Sequence, residues 1–470
     1  MPQSLHPTVP DLSSQLHALI QDEWEQDVLS QLPASYEEQA RTMGAFVRAR
    51  GLHCVGDLLR GVLAYVLCAP SFRHLGAWAV LIGLANVSHV AWQKRLRQAR
   101  SFLLWLLIQQ LALPLRPKPG PQTRIILVDA TRLKEPGGTG DDWRVHLAYD
   151  LGAGRLVDVR VHDRHTAEGF TLFEWRPGDI VVADRGYSRR GQLVWVLRAG
   201  AHVLVRLSVH QVPLLDQQGT PLDVIAWLTA LQSGQGSCAV AFEYEQERFA
   251  GRLIACALPE EAAKRARAKE RKKAAKQQRQ LKEETLFLCG WLLIFTSVPT
   301  PTWSDEQILR LYRARWQVEL VIKRMKQVLR LAHLRGRTAL TNEATILAVL
   351  LAWSLVQSEG QEARAVLTQA AEAWSGCQQS SEADTPAKHE SLPTVSSWTL
   401  TALHIQTFRL VVQGVWTRTR LRDCLPSLSR FLCGRRRRRE HQESAIRRLL
   451  RTHPALTGSD PSRLLFCSSP

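Results

Sequence analysis

The chain contains 470 residues, 45% of them hydrophobic, and carries a formal net charge of +18. This length suggests roughly two to four domains, and the positive charge favours a polyanionic partner, most simply nucleic acid. The nine cysteines include no Cys-x-x-Cys pair and no Cys/His quartet, which argues against a zinc site or a disulfide framework and fits a reducing cytoplasm.

The N-terminal segment lacks a basic stretch followed by an apolar core, so we expect no signal peptide. The most apolar runs, Leu75–Val87 and Phe102–Leu113, are too short to span a bilayer and are expected to form buried helices. These features predict a cytoplasmic protein without a membrane partner.

Residues 1–118 are predicted to be all-helical, because apolar residues recur at spacings of three and four. Lys94 and Arg97 are expected on the exposed side of one helix, as either a solvated cationic face or a contact with a DNA backbone. A segment rich in proline and glycine between residues 114 and 121 then predicts a linker.

Residues 119–208 predict an α/β arrangement in which two apolar runs each lead to an aspartate, Asp129 and Asp184. A continuous apolar run is typical of a strand buried on both faces. We therefore expect Asp129 at or near the end of a buried strand, where an unpaired carboxylate is costly. Between the two runs, Trp143–Asp150 and Arg155–Asp163 alternate in character and predict a hairpin.

Residues 209–285 interrupt this pattern with short β-like runs and a basic arm. The arm, Glu261–Lys282, carries ten Lys or Arg against two Glu and is either a solvated, partly disordered or helical segment or a phosphate-binding one. Residues 286–357 return to the strand pattern with Trp291 and continue into helices. In residues 358–470, Ser375–Ser397 predicts a flexible linker or an exposed loop, and Arg435–Glu440 is a further candidate for binding polyanions.

One long helix is predicted from Ser304, because no Gly or Pro interrupts the next twenty-five residues and Gln307 completes a capping box. At about 100° per residue its polar side chains form a single stripe. The stripe consists of Tyr312, Arg315, Glu319 and Lys326. Taken alone, the stripe is typical of a solvated face with ion pairs at helical spacing.

Three carboxylates, those of Asp129, Asp184 and Glu319, would repel one another if the fold brought them together without a cation. Carboxylate oxygens suit Mg²⁺ or Mn²⁺. Two such ions about 3.5–4 Å apart activate a nucleophile and stabilise the leaving oxygen of a phosphodiester. The expected site is therefore a catalytic two-metal centre on a basic protein that cuts nucleic acid.

These motifs resemble those of the bacterial insertion-sequence transposases of the DDE superfamily. The Y-x₂-R-x₃-E-x₆-K signature of insertion-sequence family four is met at every spacing, and the LVDAT and VVADRGY segments resemble the first and second acidic motifs. The resemblance implies an RNase H-like catalytic core, a mixed sheet flanked by helices, with a β-rich insertion and all-α terminal regions.

The resemblance also implies a role for each segment. The implied domains are an N-terminal transposon-end-binding domain (1–118), the first part of the catalytic core (119–208), the β-rich insertion with its basic arm (209–285), the second part of the core with the Glu helix (286–357), and a C-terminal helical region for dimerisation or DNA contacts (358–470).

The family chemistry is cut-and-paste transposition through a DNA hairpin, with two Mg²⁺ or Mn²⁺ ions held by Asp129, Asp184 and Glu319. The resemblance also implies that phosphates near the cut end are bound by Tyr312, Arg315 and Lys326. Trp291 is either the aromatic residue that stacks on a flipped base or a strand residue of the core. The implied partners are the terminal inverted repeats, target DNA and a second subunit.

Two other functions stay open on the sequence. One is an RNase H-like metal-dependent nuclease without strand transfer. The other is a catalytically inactive or domesticated, sequence-specific DNA-binding protein, against which the three intact acids argue.

Overall fold

The computed structural model describes residues 24–69, 71–112, 123–138, 142–357, 394–395, 397–413 and 433–434. The proline-rich linker, all but the last residues of the predicted linker Ser375–Ser397, and the Arg435–Glu440 run lie outside these described residues.

The described part of the N-terminal region is helical. Its helices are α1 Tyr36–Thr42, α2 Val55–Leu67, α3 Phe72–Leu81, α4 His89–Gln98 and α5 Arg100–Ala112. Ser71 and Ser88 begin α3 and α4 as caps, because each side chain accepts a backbone N–H of the first turn. A Cβ on Gly61 would lie 2.2 Å from the Trp92 ring, so glycine lets α2 and α4 approach closely.

An eight-stranded mixed sheet forms the centre of the molecule. Its strands are β1 Ile125–Leu133, β2 Trp143–Asp150, β3 Arg155–Asp163, β4 Ile180–Ala183, β5 His202–Arg206, β6 Gln235–Tyr244, β7 Glu247–Ala257 and β8 Trp291–Thr296. The strand order is β3-β2-β1-β4-β5-β8-β7-β6. The β1–β4 and β4–β5 pairs are parallel, and the other neighbouring pairs are antiparallel. This mixed α/β sheet fits an RNase H-like core.

Both faces of the central strands are buried, as the continuous apolar runs predict. In β1, Ile125 and Leu127 pack into one hydrophobic cluster with the N-terminal helices. Ile126 and Val128 pack on the opposite face with α6 (Arg190–Arg198) and α7 (Val224–Ala230). Successive side chains of a strand alternate between its two faces, so Asp129 lies on the same face of β1 as Ile125 and Leu127.

The segment after β5 extends the same sheet. The β6–β7 hairpin joins it through β8, which lies between β7 and β5. Between β7 and β8 the basic arm forms α8 (Glu260–Lys276), followed by α9 (Glu283–Leu288). The arm is therefore helical as far as Lys276, which was one of the expected alternatives.

The single long helix predicted from Ser304 is wrong in one respect. The structure has two helices, α10 (Asp305–Ala314) and α11 (Trp316–Gln327), separated at Arg315. The predicted capping box at Ser304 and Gln307 is present. At Arg315 the backbone keeps helical dihedral angles, but the hydrogen bonds shorten to three-residue spacing.

An apolar helix, α12 (Ala339–Gln357), is long enough to cross a bilayer, but 78% of its most apolar window is buried inside the protein. Its composition therefore reflects a core position. Helix α13 (Ser397–Gln413) packs on the N-terminal helices, where Arg60 Nε donates to the Val412 carbonyl at 3.0 Å. One hydrophobic cluster thus contains residues of the N-terminal helices, the sheet, α12 and α13.

Candidate active site

Asp129 lies inside β1, as the fifth of nine strand residues. The expectation of a position near the strand end is thus wrong for β1 itself, because β2 continues to pair with β1 as far as Leu133. Pairing with the other neighbour, β4, ends at Leu127 and Val182. Asp129 is therefore beyond the last β1–β4 pair, with one edge of the strand open beside it.

Asp184 follows the last residue of β4 and begins a short turn of 3₁₀-helix, Arg185–Tyr187. Its Oδ1 atom accepts the backbone N–H of Gly186 at 2.7 Å. The parallel register pairs Leu127 with Val182, so two positions further along each chain Asp129 and Asp184 stand at the same level. The strand register therefore sets these two acidic positions at the same level of neighbouring chain segments.

Glu319 enters from the helices that cover this face of the sheet. It lies in the first turn of α11, and its carboxylate accepts a hydrogen bond from Arg315. The same guanidinium lies 4.0 Å from the Asp129 carboxylate. Arg315 thus connects the strand acid with the helix acid, at the point where α10 and α11 separate.

Asp129 has a strongly perturbed acidity. Burial raises its pKa from 3.8 to about 7, and the charges of Asp184 and Glu319 add to the rise. The Ala130 N–H, donated at 2.8 Å, and the Arg315 guanidinium partly oppose it. The contribution of both other acids to this pKa indicates that the three carboxylates share one electrostatic environment.

Within the described ranges, no group of three or more His, Cys, Asp or Glu side chains is arranged closely enough to hold a metal ion. The chemistry of the donors nevertheless fits a hard divalent cation, since all three are carboxylates. A positive ion among them would favour the ionised form of Asp129. In this structure the positive charge beside Asp129 and Glu319 comes from the guanidinium of Arg315.

The other residues of the predicted stripe lie on either side of these acids. Tyr312 is on α10, and its pKa is raised mainly by burial, while Arg315 and Arg206 oppose the rise. Lys326 is near the end of α11, and its Nζ donates to the Arg132 carbonyl of β1 at 3.1 Å. The stripe therefore runs along β1, from the acids toward the C-terminal end of the strand.

A groove of about 1020 Å³ opens beside Asp184. The residues that line it include Tyr312, Arg315 and Trp291, the first residue of β8. Trp291 is half-buried and packs against Phe287 at a ring distance of 6.3 Å. Its position combines contact with the core and access to the groove, so both interpretations of this tryptophan have a structural counterpart.

Lys94 and Arg97 lie on α4, where Lys94 is exposed and Arg97 half-buried. Neither is among the residues that line the groove. The fold therefore does not bring them into the groove that Asp184 lines.

The structure adds basic residues that the sequence interpretation did not single out. Arg185 and Arg189 follow β4, Arg206 ends β5, and all three line the groove. The sequence carried a signal for Arg185 and Arg189, because both closely follow the second acidic motif at Asp184, whereas Arg206 at the end of β5 follows no acidic motif.

Comparisons with known proteins agree with these motifs. A family model described as "Transposase DDE domain" matches residues 120–355. The InsL protein of insertion sequence element IS186A from Escherichia coli strain K12 is 34% identical over 332 residues, which cover 69% of this chain and 90% of that protein. The transposase for IS421 from Escherichia coli is also 34% identical, with the same coverage. The transposase for IS231F from Bacillus thuringiensis subsp. israelensis is 24% identical over 45% of this chain and 51% of its own length.

Proposed function

Because the chain belongs to the DDE transposases of bacterial insertion sequences, we propose that it cleaves DNA at the two ends of such an element and joins those ends to target DNA. The observation that carries this proposal is the arrangement of the three acids. Asp129 and Asp184 stand at the same level beyond the β1–β4 pairing, and Arg315 connects Asp129 with Glu319.

We propose that Asp129, Asp184 and Glu319 hold two Mg²⁺ or Mn²⁺ ions. When bound, such ions activate a water or a 3′-hydroxyl and stabilise the leaving oxygen of the phosphodiester. The chain's own contribution is to fix the donors. The backbone N–H groups of Ala130 and Gly186 orient the two aspartates, and α11, which packs in one hydrophobic cluster with β1, carries Glu319.

Phosphate binding is the role we propose for Tyr312, Arg315 and Lys326. Arg315 is suited to it because a guanidinium forms paired hydrogen bonds to carboxylate or phosphate with the same geometry. Its contacts with Asp129 and Glu319 support this role, because we propose that the reacting phosphate binds beside these two acids. Tyr312 lines the same groove as Arg315 and is proposed to bind phosphate together with it.

A hairpin intermediate at the transposon end is part of the proposal. Closing a DNA hairpin requires a tight turn, and extruding one base from the stack relieves the strain in that turn. An aromatic ring then stabilises the extruded base by stacking. Trp291 borders the groove next to Asp184, which supports this role.

The proposed partners are the terminal inverted repeats of the element, target DNA and a second copy of the chain. Lys94 and Arg97, on the N-terminal helices, are proposed contacts with the transposon end. We place this activity in the bacterial cytoplasm, on the nucleoid.

The test uses the full chain and a DNA fragment that carries the sequence flanking its gene. Glu319→Gln should retain binding to this fragment and lose Mg²⁺-dependent cleavage by at least about 10²-fold. The matched control is Glu306→Gln, since Glu306 is an exposed glutamate on α10. Cleavage by the Glu319 variant at the wild-type rate would disprove the mechanism, and cleavage by the wild type without joining would favour a nuclease.

A further inference from the structure

The groove beside Asp184 is lined by residues from two parts of the chain. Asp184 is the proposed catalytic acid that lines it, together with the proposed phosphate contacts Tyr312 and Arg315. The basic helix α8, inserted between β7 and β8, contributes Lys269 and Lys273 to the same lining. The basic arm of the sequence is therefore next to the candidate active site, a position that no local pattern predicts.

The side chains that line the groove are strongly biased in charge. Among the described residues on its surface, seven are Lys or Arg and two are Asp or Glu. One of the two acids, Glu270, accepts from Arg279 at 2.8 Å. Cations gathered in one cleft raise the local concentration of an anionic ligand, so the groove is suited to a chain of phosphates.

Helix α8 holds its orientation through contacts with the rest of the protein. Ala263 and Ala274 are buried, and Arg267 Nε donates to the Leu286 carbonyl at 3.3 Å. Lys269 and Lys273 are exposed on the groove side of the helix. At about 100° per residue, Lys264 and Arg271 project about 140–180° away from them. The same helix thus carries a groove-facing pair and an outward-facing pair.

The combination of residues favours a single strand over a duplex. Proteins that bind single-stranded nucleic acid join a cationic groove for the backbone to aromatic side chains for the bases. Here Trp291 borders the groove in which Lys269 and Lys273 stand. A ligand that uses both needs phosphates and an unpaired base within one cavity.

We propose that Lys269 and Lys273 bind the phosphates of a single DNA strand that passes from the active site through this groove. The proposal rests on the proposed function, and it assigns the basic helix α8 to the unpaired strand rather than to duplex DNA. The other Lys and Arg side chains of α8 then add to the positive electrostatic potential of the protein but do not contact this strand.

The experiment compares two double variants of the full chain in EDTA. Fluorescence anisotropy measures binding to labelled oligo(dT) of about 15 nucleotides and to a blunt duplex of the same length and arbitrary sequence. K269Q/K273Q should weaken oligo(dT) binding by about tenfold or more and lower the slope of log affinity against log salt by about 1.4. Its affinity for the duplex should change by less than about twofold.

The matched control is K264Q/R271Q, which removes the same charge from the outward face of α8. It should change binding to either probe by less than about twofold, and both variants should keep the wild-type unfolding midpoint. Equal losses in the two variants would overturn the proposal, as would a loss for the duplex that equals the loss for oligo(dT), or no loss at all.

The outcome separates this proposal from the proposed function. Wild-type protein that binds oligo(dT) through Lys269 and Lys273 but cleaves no DNA would defeat the proposed function alone. Normal metal-dependent cleavage together with unchanged oligo(dT) binding by K269Q/K273Q would defeat only the role of α8.

Discussion

The guanidinium of Arg315 lies 4.0 Å from the carboxylate of Asp129, across the gap between the α10–α11 junction and the sheet. The same guanidinium is hydrogen-bonded to Glu319. The positive charge of Arg315 stabilises these two proposed metal ligands in the absence of metal. The same charge repels a metal ion that binds to them. This gives Arg315 opposite expected effects on metal binding and on DNA.

We predict that Arg315→Ala binds Mn²⁺ about tenfold more tightly than the wild type without DNA, because a competing positive charge is removed. Cleavage should fall by about tenfold or more, because a phosphate contact is lost. Isothermal titration gives the first quantity and a gel assay the second. Arg313→Ala is the control, since Arg313 is exposed on α10 and does not line the groove. Weaker Mn²⁺ binding by Arg315→Ala would contradict the prediction.

For Trp291 we predict that replacement by Ala slows hairpin formation by about tenfold and changes first-strand nicking by less than about twofold. The reason is that base stacking on an aromatic residue contributes about 1–3 kcal/mol per base. Trp291→Phe should recover much of the rate. Trp195→Ala is a suitable control, because Trp195 is 49% exposed and outside the groove. Equal slowing of nicking and hairpin formation would identify Trp291 as a core residue only.

The buried imidazole of His146 predicts sensitivity to acid. Burial lowers its pKa from 6.5 to about 4, and His162 and Arg144 add to the shift. The unfolded chain therefore takes up this proton at a higher pH than the folded chain does. This contribution to stability is present above pH 6.5 and is lost as the pH falls toward 4, by up to about 3 kcal/mol.

Urea unfolding of His146→Leu and the wild type, at pH 7.5 and at pH 4.5, tests this. The variant should lose less stability than the wild type between the two pH values, whatever its stability at pH 7.5. An identical loss in both proteins would show that His146 does not titrate in this range.

The ion pair of Arg124 and Asp179 joins the start of β1 to the turn before β4. Two hydrogen bonds, of 2.8 and 2.5 Å, connect the side chains, and Asp179 is 2% exposed. Arg124→Ala removes the ion-pair partner of this buried carboxylate, which keeps the Arg176 backbone N–H as a donor, and should lower the free energy of unfolding by about 3 kcal/mol. Arg41→Ala, which breaks an exposed pair with Glu37, should cost about 0.5 kcal/mol.

A double variant at both Arg124 and Asp179 provides the cross-check, since the two single losses should not add for residues in contact. A loss of less than about 1 kcal/mol for Arg124→Ala would show that the pair contributes no more than a surface one.

The sequence by itself determined the features that depend on local spacing. The apolar runs before Asp129 and Asp184 predicted strands buried on both faces, and Ser304 with Gln307 predicted the start of α10. The spacing of Tyr312, Arg315 and Glu319 also identified the family, because these residues occupy fixed positions within a short stretch of chain.

Only the tertiary structure decided which distant segments meet. The break at Arg315 has no Gly or Pro as its signal and coincides with the side chain that contacts both Asp129 and Glu319. The position of α8 beside Asp184 follows from the addition of β8 to the edge of β5. Pairing of strands about 90 residues apart depends on the packing of the whole chain, which local composition does not encode.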